Sequence, residues 1–287
     1  MRLKPIVPWL WLFPAGAILI PFFAMPLCIV LRDSFYRDDP IRLIVPDFTF
    51  SSYSRVLGDS YYLVVFGNTL GIAALITLVA LAIALPYAQY VSRTSGTTRI
   101  VLLWITYLPL YVSVIMRAFG WMVITSDRGL INSALLGLDL IATPVKMLYE
   151  VEGMTLAMVH RYLPLMVIPI VTSLSKVDGD LLRASANLGA GRLYGWRHIT
   201  LPLAIPGMVA GSQLVFAGVL SDYVLPSLTG TTRFPMIAPV IFNEATTNTS
   251  WATASALGTI ILAIVALFLV AAALLMRRLM PWQGALR

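Results

Sequence analysis

Two arginines, Arg117 and Arg161, sit inside long runs of sequence that otherwise hold no full charge. A guanidinium at the centre of a bilayer costs at least ~2.5–3.5 kcal/mol on insertion scales unless it faces protein or water, so neither is expected to face lipid. Counted from opposite ends of their runs, both fall at similar depth in the outer half of a membrane. Three arrangements suit them: lining one cavity, pairing with an outer acid such as Asp222, or donating to the carbonyls of a broken helix. A structural role is favoured for Arg117 over gating or solute contact, and Arg161 stands open between the two. Trp121, Phe119, Asp222 and Tyr223 fall near the same outer mouth. They read as an interfacial aromatic belt, with a solute-contacting cluster as the alternative. His160 reads as an interior polar residue, because no second ligand is spaced to join it in holding a metal. No metal site is expected.

A second constellation is the polar stretch from Asp180 to Gly207, DLLRASANLGAGRLYGWRHITLPLAIPG. Asp178 or Asp180 can accept from the free N–H groups of a helix start, where negative charge also suits the dipole. Leu181, Leu182, Ala184, Ser185 and Leu188 follow at helical intervals, and Gly189 suits a left-handed position just past the helix end. A second helical turn restarts after Ala190 through Leu193, Tyr194 and Trp196. The expectation is a bent pair of short helices, with Pro202 tolerated near the start of the next helix, where its missing N–H costs little.

The register of that stretch resembles the signature cytoplasmic loop of ABC importer permeases, E-A-A-x3-G-x9-I-x-L-P. Gly189, Ile199, Leu201 and Pro202 fall on it without a gap, while Arg183 stands where the family usually has Glu and Ser185 where it has Ala. Further short matches are Asn68-Thr69-Leu70, Leu108-Pro109-Leu110 with Arg117 and Trp121, Tyr162-Leu163-Pro164-Leu165-Met166, and Ser255-Ala256-Leu257. In order and spacing these are similar to the spermidine/putrescine branch of type I importer permeases. The resemblance implies that the loop from 178 to 200 docks a cytoplasmic ATP-binding dimer through Arg183, Ala184, Ser185, Leu188, Gly189, Ala190, Ile199, Leu201 and Pro202. It implies a second permease subunit, a different chain in this branch, and a periplasmic solute-binding protein. It also implies that ATP and magnesium are used by partner subunits, so that this chain carries no cofactor and no catalytic residue. The solute implied is a polyamine, with an anionic or zwitterionic compound or iron as the alternative.

The elements that must hold these residues follow from composition. With 287 residues, 59% hydrophobic and 11% charged, and a mean hydropathy of +0.86, the chain is an integral membrane protein. The net charge of +7 is distributed by topology, so a nucleic-acid partner is discounted. Cys28 is the one cysteine and excludes an intrachain disulfide. Apolar runs predict six spanning helices at about 8–31, 62–90, 100–125, 153–174, 200–221 and 250–276, in one permease domain. Their length without alternation rules out barrel strands, which predicts an all-α fold. The first run is too long for a cleaved signal core, and its prolines, like Pro164 and Pro169 in the fourth, suggest kinks.

Eleven basic residues fall in the segments that are inner if the N-terminus is cytoplasmic, against seven in the longer outer ones, which hold eleven of the thirteen acids. That bias predicts both termini in the cytoplasm of a bacterial inner membrane. Outer segments 127–152 and 222–244 are long enough for short surface helices. A P-loop, G-x-x-x-x-G-K-[ST], does not occur, so an energy source is expected on another chain. A secondary transporter working alone is the second reading, against which stand the lack of an intramembrane acid and of an evident internal repeat. A membrane enzyme ranks third, because no cluster of catalytic groups has a recognisable spacing.

Overall fold

The computed structural model describes residues 14, 16–176, 179–231 and 233–279. The start of the expected first span, Asp178 and the chain ends with Arg2, Lys4 and Arg287 lie outside them. Among the described residues five helices are long and apolar enough to cross a membrane: Gly16–Asp33, Ser60–Arg93, Val151–Leu174, Leu193–Leu220 and Trp251–Arg278. A sixth crossing exists only if a bent pair is counted as one.

That pair corrects the third span. The run expected as one helix over 100–125 is Gly96–Tyr111 followed by Val114–Thr125, and the segment Val114–Gly137 is bent by 101° from the first piece at the break. Pro109 stands in the last turn of the first piece, and Val112 and Ser113 take extended ψ values of 131° and 137°. A proline ring removes one backbone donor and crowds the preceding turn, so a helix that meets it near two extended residues ends there.

The expectation of a purely helical chain also needs amending. Residues Arg37–Asp39 and Leu43–Val45 form an antiparallel hairpin, Asp38 facing Ile44. Asp39 Oδ1 accepts from the backbone N–H groups of Arg42 (2.7 Å) and Ile41 (2.8 Å), which fixes the turn and holds the carboxyl below its ordinary range. The expected short outer helices are Leu130–Gly137, Val224–Thr229 and Ile237–Thr246.

By contacts the chain forms two compact units. The first joins Met1–Leu63 to Val240–Ile264. In it Asp38 caps the N-terminus of the last span: its carboxylate accepts from the Ala252 N–H (2.7 Å), the Thr253 N–H (3.2 Å) and the Thr253 hydroxyl (2.6 Å). The Tyr62 hydroxyl donates to Glu244 Oε1 at 2.9 Å, which satisfies a carboxylate that is 8% exposed.

The second unit, Val64–Pro239 with Val265–Arg287, holds the main core. One face of Ser60–Arg93 contributes Ala73, Ile76, Ala80, Ala84 and Ala88, four or so residues apart and fully buried. The fourth and fifth spans pack antiparallel along their length. A Cβ on Gly207 would stand 2.5 Å from the Pro169 carbonyl oxygen and 2.7 Å from Ile170 Cα; one on Gly218 would stand 2.4 Å from the Tyr162 ring. Where lipid tails are as apolar as leucine, such small residues let backbones approach and gain dispersion contact. Gly207→Val is therefore expected to destabilise the purified protein by about 1–3 kcal/mol; an unchanged unfolding midpoint would show that the contact is not tight.

Candidate functional site

The short helix Gly179–Asn187 is followed by a turn through Gly189, whose φ of +82° is the left-handed value expected from the sequence. The Ala190 N–H reaches back to the Ser185 carbonyl (3.1 Å) and the Leu188 N–H to that of Ala184 (3.1 Å). The first is the six-residue closure that satisfies carbonyls at a helix end. Of the two acids expected to cap the helix start, Asp178 and the side chain of Asp180 lie outside the described residues.

The continuation differs from the expected bent pair. Helix resumes at Arg192 and runs without interruption into the fifth span, which therefore begins at Leu193 rather than near residue 200. The wider turn Trp196–Thr200 absorbs Pro202: the Leu201 N–H bonds to the Trp196 carbonyl, five residues back. That widening relieves the crowding a proline ring imposes on the preceding turn. The same device, Ile20–Ala24, stands two residues before Pro26 in the first span.

Between the two helices lies an open groove of about 670 Å³ whose walls include Leu181, Ala184, Ser185, Leu188, Tyr194 and Ile199. Leu188 is 88% exposed, and Arg183 and Leu193 are exposed as well. Ile199, Leu201 and Pro202 are half-buried at the root of the span. Trp196 Nε1 donates to Gln89 Oε1 at 2.8 Å, tying the groove to the second span. Gln89 was not legible as a partner, since 107 residues separate the two.

The intramembrane charges divide between two of the arrangements anticipated for them. Arg117, buried, lies just past the broken helix, and its Nη2 donates to the carbonyls of Pro109 and Val112, the latter at 3.0 Å. A cation there meets carbonyls that the break leaves unpaired and the negative end of the dipole. Arg161 Nε lies 3.3 Å from Asp222 Oδ2, and the Asp222 side chain is 2% exposed. The Tyr162 hydroxyl is within bonding distance of the Gly218 carbonyl (2.7 Å) and of Asp222 Oδ2 (3.1 Å). Asp222 Oδ1 faces the Leu225 N–H at 3.4 Å, at the start of Val224–Thr229. Trp121 instead donates through Nε1 to His160 Nδ1 (3.2 Å), and Phe119 and Tyr223 are 51% and 38% exposed. Tyr162 was quoted in the sequence only as part of a pattern; its role as the acid's second partner comes from the packing of the fourth span on the fifth. His160 also borders a cavity of about 230 Å³ with Tyr87, Thr106, Pro109 and Pro164.

Comparison with known proteins places this architecture. Residues 149–282 match the family described as binding-protein-dependent transport system inner membrane component. The spermidine/putrescine transport system permease protein PotB of Escherichia coli is 30% identical over 223 residues, 78% of this chain and 81% of that one. Its namesake in Haemophilus influenzae is 27% identical over 238 residues, 83% of each chain. Among solved structures, a bacterial ABC transporter involved in import of the acidic polysaccharide alginate superposes with a TM-score of 0.77 at 17% identity, over 95% of both chains, a likeness of fold. With its apolar spans, its groove and an identity of 30% to a transport permease over most of its length, the chain belongs to the binding-protein-dependent transport system inner membrane components.

Proposed function

We propose that this chain is the membrane-spanning subunit of an ATP-driven importer of a polyamine, delivered by a periplasmic binding protein. The observation that carries the reading is the 30% identity to a spermidine/putrescine permease over 78% of the chain. The geometry supports it by meeting an objection. Two arginines in the outer half of the pathway would repel a polycation, yet Asp222 faces one and backbone carbonyls receive the other. On this reading both termini and residues 178–200 face the cytoplasm, where the exposed groove takes the ATP-binding subunit and ATP and magnesium stay with that partner. A second permease, a different chain in this branch, completes the pathway. The groove transmits work because nucleotide-driven closure pulls a helix continuous with the fifth span.

One observation favours a second reading, an anionic or zwitterionic solute: Arg117 Nε and Arg161 Nη1 are buried without a hydrogen-bond partner among the described residues. Solute-stimulated ATP hydrolysis by the reconstituted complex with its own binding protein separates the two. Stimulation by putrescine or spermidine is expected. Stimulation by an anion alone would overturn the cation while keeping the importer, and uptake without any associated ATPase would return the chain to the secondary transporters.

A further inference from the structure

Three cations from separate parts of the chain meet at one end of the second compact unit. Arg93 is the last residue of the second span, Arg99 lies in the first turn of Gly96–Tyr111, and Lys176 stands two residues past the fourth span. The register of the fourth span on the fifth brings them together. Gly207 lies against Pro169, and the Ser173 hydroxyl donates to the Leu203 carbonyl at 2.9 Å. Antiparallel helices in that register set Ser175 and Lys176 opposite Leu201 and Thr200. Arg99 Nη2 donates to the Ser175 hydroxyl at 2.9 Å, and Arg93 Nη2 reaches the Thr200 hydroxyl at 3.5 Å. Both guanidiniums therefore lean on the facing ends of one helix pair, beside Lys176. None of the three is in an ion pair among the described residues, where the pairs are Arg32 with Asp33 and Arg161 with Asp222. One hydroxyl leaves most of a guanidinium's five N–H donors unused.

We propose that Arg93, Arg99 and Lys176 hold the phosphate of an anionic phospholipid whose acyl chain lies along Gly96–Tyr111. Charge-assisted bonds from planar guanidinium forks suit a phosphate, and basic sites between span ends suit anionic headgroups. The neighbouring surface decides between a lipid and a free phosphate ion. Past Arg99 on the same helix, Ile100, Val101, Trp104, Ile105 and Leu108 are between 49% and 62% exposed. This uncovered apolar face starts at the cations and runs into the depth of the membrane. A phosphate ion would use the donors alone, whereas a phospholipid satisfies the donors and covers the face below them. The importer reading puts this end of the helices at the cytoplasmic leaflet, so the leaflet, unlike the binding, rests on that reading. Thr200 stands at the root of the fifth span, and Trp196 ties that root to Gln89 of the second. A bound headgroup thus braces the helix that the groove must move.

The test offers the complete transporter in neutral detergent an equal mixture of phosphatidylglycerol and phosphatidylcholine and weighs the lipid it retains by native mass spectrometry. Wild type is expected to keep phosphatidylglycerol with a preference of about tenfold, undiminished by inorganic phosphate at millimolar concentration. The Arg93→Gln/Arg99→Gln variant is expected to lose that preference, and Arg99→Lys to keep part of it, since the charge stays while the fork is lost. Equal retention of the two lipids by wild type would overturn the site, and this comparison stands whether or not the double variant assembles. Displacement of phosphatidylglycerol by inorganic phosphate would assign the donors to a free ion instead. A double variant that keeps the lipid preference but sheds the ATP-binding subunit would assign the cations to that subunit. The leaflet is tested separately by labelling Thr97→Cys with a membrane-impermeant maleimide in sealed right-side-out vesicles, where protection is expected. Labelling there would overturn the cytoplasmic placement of the importer reading, an outcome distinct from loss of the lipid preference.

Discussion

Gly189→Asp is expected to insert and fold normally yet lose solute uptake by tenfold or more. The backbone at Gly189 has φ of +82°, and a Cβ there meets nothing within 4 Å. The penalty is therefore conformational rather than steric. It is on the order of 1 kcal/mol, small beside the stability of a helical bundle and large for a turn that only its own closure holds. If the turn opens, Leu188 and Tyr194 no longer face one groove. The added carboxylate also places a charge on the surface read as the ATPase contact. Membrane abundance, co-purification of the ATP-binding subunit and uptake are measured together: uptake equal to wild type would remove the docking assignment.

Arg161→Met is expected to have the largest effect on stability. It leaves the Asp222 carboxylate, 2% exposed, with the Tyr162 hydroxyl at 3.1 Å and a distant backbone N–H. An uncompensated buried charge costs about 3 kcal/mol or more, so the unfolding midpoint of the purified protein should fall clearly. Changing Asp222 to Asn in the same chain should recover most of the loss, because neither charge then stays buried, and the non-additivity measures the coupling. A single variant as stable as wild type would mean that Asp222 takes its charge compensation elsewhere.

Several features could be read before any coordinates because they are local or compositional. Apolar runs too long for anything but spanning helices follow from the impossibility of leaving backbone groups unpaired in lipid. Gly189 was placed in a left-handed turn because it follows a helical interval of leucines and alanines and lacks a Cβ. The family was legible because Ile199, Leu201 and Pro202 keep a fixed distance from that glycine. The Gly207-x-x-x-Gly211 spacing was present in the chain as well, and it is the signal that would have located the close face of the fifth span.

What the sequence could not decide were the alternatives that depend on which elements meet. Arg117 and Arg161 looked alike, each a lone guanidinium at similar depth. Only the break at Val112 and Ser113 gives Arg117 carbonyls to receive it, and only the packing of the fourth span on the fifth brings Arg161 and Tyr162 to Asp222. The third span reads as one apolar run around Arg117, and hydropathy does not report that it is turned by 101° after Pro109 and two extended residues. Asp38 caps a helix that begins more than two hundred residues later, a partnership no local pattern signals. Composition and periodicity determined that the chain spans a membrane and where its polar stretch makes a left-handed turn, because those depend on neighbours in sequence. The partners of its few charges came from tertiary structure, because a buried charge is satisfied by whichever groups the packed helices carry to it.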